Sequence, residues 1–168
     1  KKLILDRMIQ DKKVIIAIPI YRDLREEEIV ALDNNLEILR NYPTVLIKPT
    51  GLNTNALKER YPQVGEIEVS NQWLGTINGI MGYNEMMTSP DFYSLFSDYE
   101  YLLICQTDVW IFRDDLMKWI DMGIDLVGAP WPNRNMYLHF PMKQYRQLKV
   151  KLKPANTHLH CQMFGRLG

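Results

Sequence analysis

The stretch VIIAIPI, residues 14–20, constrains the fold more than any other feature of this chain. It is a continuous apolar run rich in β-branched residues, which suits a parallel strand covered on both faces; a strand with one wet face alternates instead. Acidic residues Asp23, Glu26, Glu27 and Glu28 follow, favouring the positive end of a helix with Asp23 as its N-cap. Ile29, Leu32, Leu36 and Leu39 then recur at helical spacing until Tyr42-Pro43 ends the run. TVLIK (44–48) predicts a second strand, closed by Pro49 and Gly51, and a short helix is expected around 54–61. GEIEVS (65–70) alternates, as a strand near a sheet edge does. This order predicts an α/β fold, a three-layer Rossmann-like sheet that is mostly parallel.

Residues 71–100 read as helical but irregular, with Ile77, Ile80, Met81 and Met87 as the apolar members of a helix and Ser89-Pro90-Asp91 as punctuation. YLLICQTDVW (101–110) predicts a fourth strand, RDDLMKWIDMG a helix stopped by Gly123, and IDLVGAP (124–130) a fifth strand. Beyond Trp131 the periodicity fades: KQYRQLKVKLK is basic and the last eighteen residues show no pattern. With 168 residues and 46% hydrophobic content, a single domain is expected, its core in 1–132 and 133–168 a divergent tail of the same domain. Twenty basic residues balance twenty acidic ones, so nothing in the charge draws nucleic acid or an acidic membrane. No apolar run approaches the roughly 18 residues that span a bilayer, and no charged-then-apolar leader opens the chain. Cys105 and Cys161 stand in no metal or redox spacing, and Cys105 suits a buried strand. These features predict a cytoplasmic protein without a transmembrane segment.

Ligands of open parallel sheets bind at the carboxyl ends of the strands. There this sequence places Tyr21 and Arg22 after the first strand, Gln106-Thr107-Asp108 after the fourth, and Gly128-Ala129-Pro130-Trp131 after the fifth. Asp108 lies between two hydrophobic blocks, where an unpaired carboxylate, if buried, costs several kcal/mol. At a strand terminus it can instead hold a hard divalent ion that bridges phosphate oxygens, or cap the following turn with Arg113 as its ion-pair partner. Tyr21 offers a face on which a base can stack, or simply covers the sheet edge. Asp114 and Asp115 fall where a helix begins and suit its dipole. His158 and His160 alternate, so on a strand both would face one side. An aspartyl-phosphate phosphatase would need a second acid two residues past Asp108; Trp110 stands there.

VIIAIPIYR, GYNEMM, SPDFYSLFSDYEYLLICQTDVWIFRDDL and DLVGAPW, in this order over about 12–132, resemble a family of glycosyltransferase-like proteins of unassigned function with the GT-A fold. The resemblance implies a nucleotide-sugar donor site, a divalent metal (Mn or Mg), and transfer of the sugar to an unknown glycan or other acceptor. Its Asp-x-Asp element falls on Gln106-Thr107-Asp108, which gives Asp108 the metal and Gln106, in place of a first aspartate, a ribose hydroxyl. Asn84 is implied as a polar contact to the nucleotide, alternatively a capping or turn residue. HCQMFGRLG stands where a GNGG-like segment is expected, and no catalytic base can be named. The alternative is therefore a non-catalytic or degenerate GT-A-like binding module lacking acceptor chemistry.

Overall fold

The computed structural model describes residues 13–75, 77–128 and 163–166. Strand β1 (Val14–Pro19) is flanked by two parallel neighbours, β2 (Thr44–Pro49) and β4 (Tyr101–Ile104). β3 (Gly65–Val69) pairs parallel with β2 and ends the sheet, as its alternating sequence predicts. The order is β3-β2-β1-β4-β6-β5, where β5 is Leu126–Gly128 and β6 is Met163–Arg166. β6 runs antiparallel to β4, with Tyr101 opposite Arg166 and Leu103 opposite Phe164. The tail that lacks periodicity thus supplies a strand beside β4, and the sheet is mostly parallel: β1 to β4 run the same way and β6 runs against β4.

The helices are α1 (Glu26–Ile38), α2 (Asn55–Arg60), α3 (Gly79–Thr88), α4 (Pro90–Ser94) and α5 (Leu116–Asp121). The side chains of β1 divide by alternation, which is why the run needs no polar member. Val14, Ile16, Ile18 and Ile20 pack with Leu32 and Leu39 of the α1 segment and with Leu116 and Ile120 of α5. Ile15 and Ala17 pack with Met86, Phe92 and Phe96 on the other face. Three layers result.

One local expectation is corrected. Arg25, rather than Asp23, is the N-cap of α1, and the Glu28 carboxylate accepts the Arg25 backbone N–H at 2.8 Å. Ile77, Ile80 and Met81 do not join the core: they are 66%, 77% and 80% exposed, while α3 buries Gly82 and Met86. The physical reason is Gly82. A Cβ there would lie 2.0 Å from the Gln72 carbonyl oxygen and 3.0 Å from that of Trp73, so the bare glycine backbone is the face that docks.

By its contacts the chain divides into two compact units, 1–127 with 162–168, and 128–161. All but Gly128 of the second unit lies outside the described residues, and with it Trp131, His158 and His160.

Candidate functional site

The strand order reverses between β1 and β4: β2 and β3 follow on one side of β1, and β4 lies on the other. A cleft of about 460 Å³ opens at this switch point, beyond the carboxyl ends of the two strands. One wall comes from the exit of β1 and the start of α1, with Tyr21, Arg22, Arg25 and Glu28. The second comes from Leu74, Gly75, Gly79, Ile80 and Tyr83, and the third from Gln106, Thr107 and Asp108. Tyr21, Gln106 and Asp108 are therefore brought together as expected. Asn84 is exposed within α3 and does not line the cleft; Tyr83 beside it does.

Asp108 is exposed, and its carboxylate has no hydrogen-bond or ion-pair partner among the described residues. Arg113, the partner expected if Asp108 only capped a turn, pairs with Asp115 instead. Asp114 and Asp115 serve the start of α5 as their sequence predicts: Asp114 accepts the Leu116 N–H at 3.1 Å and a hydrogen bond from the Tyr42 hydroxyl, and Asp115 sits at the N-cap. Gln106 donates its amide N–H to the Tyr83 hydroxyl at 3.1 Å, which leaves its carbonyl oxygen as an acceptor.

The loop carrying Asp108 is fastened to α1 by polar side chains that the helix buries. Asn35, 3% exposed, accepts the Ile111 N–H at 2.8 Å and donates to the Val109 carbonyl at 2.7 Å. Asn34 donates to the Ile111 carbonyl at 2.8 Å. Glu28, 7% exposed, accepts from the Thr107 hydroxyl at 3.2 Å and holds Arg22 through two hydrogen bonds, at 2.8 and 2.9 Å. The Arg22 guanidinium, above all, drags the Glu28 carboxyl down to about 2, although burial opposes it. The same pairing raises Arg22 further above neutrality. The Arg22 guanidinium carbon lies 5.4 Å from the Tyr21 ring centroid, on the cation–π scale. Arg25 is largely exposed, its nearest acid Glu27 at 4.0 Å.

Nothing in the sequence pattern marks Arg25 or Tyr83 as lining residues, and Glu28 reads there only as a helix-start acid. A signal was present for Arg22: a cation directly after an aromatic at a strand end. None was present for Glu28, whose partners Arg22 and Thr107 lie 6 and 79 positions away. Among the described residues no group of three or more His, Cys, Asp or Glu side chains that could hold a metal ion is found, and the acids lining this cleft are Asp108 and Glu28.

Fold and site together define an α/β domain with a mostly parallel sheet and a ligand-sized cleft at its switch point. The family described as "Protein of unknown function (DUF5672)" matches residues 66–160, more than half of the chain, and the chain belongs to that family. The matched span includes Asp108 but not Tyr21 or Arg22. Among solved structures the chain is similar to the mannosyltransferase PcManGT from Pyrobaculum calidifontis in complex with GDP-Man and Mn2+, at 17% identity and a TM-score of 0.44. The match covers 75% of this chain and 37% of that one. It is also similar to the PaToxG glycosyltransferase, at 14% identity and a TM-score of 0.33, covering 61% of this chain and 44% of that one. The chain thus spans less than half the length of either. No curated protein matches it. Among the described residues no helix is long and apolar enough to cross a membrane.

Proposed function

We propose that this chain is a GT-A-like domain that binds a nucleotide-activated sugar in the β1–β4 cleft and transfers the sugar to an acceptor. One observation carries the reading: an exposed carboxylate without a described partner, Asp108, stands on a loop fixed from behind by α1 and faces a cleft at the switch point. A carboxylate tied to its own loop would serve structure; this one is available to a ligand. Magnesium-type sites commonly take one or two carboxylates from protein and the remaining oxygens from substrate phosphates and water. A single Asp108 fits an ion that arrives with the donor. Such an ion, when bound, neutralises charge on the departing diphosphate. The Gln106 carbonyl oxygen accepts a ribose hydroxyl, Tyr21 stacks on the base, and Arg25 attracts the phosphates. Asn84 reaches only a ligand that extends past Tyr83.

A second reading, a binding module without transfer chemistry, is favoured by one fact. The carboxylates among the described lining residues are Asp108 and Glu28, and Glu28, held near 2 by Arg22, is no proton acceptor at neutral pH.

Calorimetry with GDP and UDP, with and without Mn2+, tests the shared part. We expect micromolar-range binding to the wild type and a loss of about tenfold or more in Asp108→Ala, the scale of one charge-assisted contact. Equal affinity of wild type and variant, or no binding of either nucleotide, removes the donor-site reading. Release of sugar from GDP- or UDP-sugars then separates enzyme from binder.

A further inference from the structure

We propose that Glu28 is the positioning residue of this cleft: one buried carboxylate presents the Arg22 guanidinium to a ligand phosphate and braces the loop that carries Asp108. The inference rests on the donor-site reading and assigns to Arg22 and Glu28 roles within it. Glu28 touches three parts of the cleft rim at once. It takes the Arg22 Nη1 and Nη2 donors at 2.8 and 2.9 Å, the Arg25 backbone N–H at 2.8 Å and the Thr107 hydroxyl at 3.2 Å. Two of these belong to the exit of β1 and the third to the exit of β4.

Arg22 carries five N–H donors. Two go to Glu28 and another, on Nη1, goes to the Asp23 carbonyl at 2.8 Å. The remaining two, Nε–H and the second on Nη2, share the adjacent edge of the guanidinium; the Tyr21 side chain also interacts with Arg22. That edge is a fork matched to two oxygens of a phosphate. Glu28 cancels much of the charge of Arg22, so the pair supplies aim rather than long-range attraction. Arg25, with its distant acid at 4.0 Å, supplies the attraction. Without Glu28 the Arg22 side chain regains its rotamers, and Thr107 loses its tie next to Asp108.

The test compares wild type, Glu28→Gln, Arg22→Lys and the double variant, all as the full chain. GDP and UDP with Mn2+ are the probes, guanosine and uridine the phosphate-free controls, and amide hydrogen exchange is followed in parallel. The proposal expects each single variant to bind the diphosphates about 10- to 100-fold more weakly, the range for one charge-assisted hydrogen bond. Nucleoside binding stays unchanged, and the double variant is no weaker than the weaker single one, because both act through one fork. Exchange should rise at 22–25 and 107–111 in Glu28→Gln, and at 107–111 should stay at the wild-type rate in Arg22→Lys. Diphosphate affinity unchanged in Glu28→Gln, equal losses for nucleoside and diphosphate, or additive losses overturn it. If Glu28→Gln does not fold, Arg22→Lys alone decides: wild-type diphosphate affinity overturns the fork. If the wild type binds no diphosphate, the donor-site reading and the phosphate role fall together. The exchange data then judge the bracing separately, and a rise confined to 22–25 overturns that as well.

Discussion

Gly82→Ala poses a contest between two effects of opposite sign. Gly82 lies within α3 without a left-handed φ, so alanine is conformationally allowed and gains about 1 kcal/mol of helix propensity. Against this, the new methyl carbon would sit 2.0 Å from the Gln72 carbonyl oxygen and 3.0 Å from the Trp73 oxygen. Both are backbone atoms of the turn that leads into the cleft wall, so neither can swing aside as a side chain would. Overpacking of this kind costs about 3 kcal/mol. The clash wins, and the net loss is about 2 kcal/mol, or about 4–8 °C in Tm for a chain of this length. Thermal and urea unfolding of Gly82→Ala, with Asn84→Ala as the exposed control on the same helix, measures it. Asn84→Ala should stay within about 0.5 kcal/mol of the wild type. A Gly82→Ala protein as stable as the wild type, or more so, would refute the close approach of α3 and with it the placement of Tyr83 in the cleft.

Asn35→Leu removes the acceptor for the Ile111 N–H and the donor to the Val109 carbonyl, both formed by a side chain 3% exposed. Two abandoned backbone groups cost about 2–4 kcal/mol, partly offset by the apolar leucine, and urea unfolding should show a net loss above about 1 kcal/mol; none would mean that water replaces Asn35. Glu28 makes stability depend on acid. Its carboxyl is held at about 2 when folded against 4.5 ordinarily, so its contribution is complete above 4.5 and is lost as pH falls towards 2. Unfolding curves should fall less steeply over that window in Glu28→Gln than in the wild type, and parallel curves would contradict the Arg22 pairing.

The parts of the fold written as uniform apolar runs were legible. VIIAIPI and YLLI form adjacent parallel strands because a doubly covered strand admits no polar residue, and GEIEV lies at the edge. Helix α1 shows where that rule ends. Its apolar stripe points to Leu32 and Leu39, yet the same face buries Glu28 and Asn35, whose partners lie 79 and 74 positions away along the chain. Nothing local marks a glutamate or asparagine as the fastener of a distant loop. On α3 the apolar residues do not mark the docking face: Ile80 and Met81 are exposed, and the docking surface is a missing side chain. β6 escaped notice because four residues inserted beside β4 carry no period of their own. Of the site, Tyr21, Arg22, Gln106 and Asp108 are readable as strand-end residues, while Arg25 and Glu28 look like an ordinary helix entry.

The most direct test of a donor site between β1 and β4 is an amide NMR titration of the full chain with GDP and with UDP, first with Mg2+ and then with Mn2+. The account predicts shift changes gathered at Tyr21–Arg22, Gly79–Tyr83 and Gln106–Asp108, and paramagnetic broadening by Mn2+ centred on Asp108. Broadening centred elsewhere, or shifts confined to the β2–β3 edge, would contradict it.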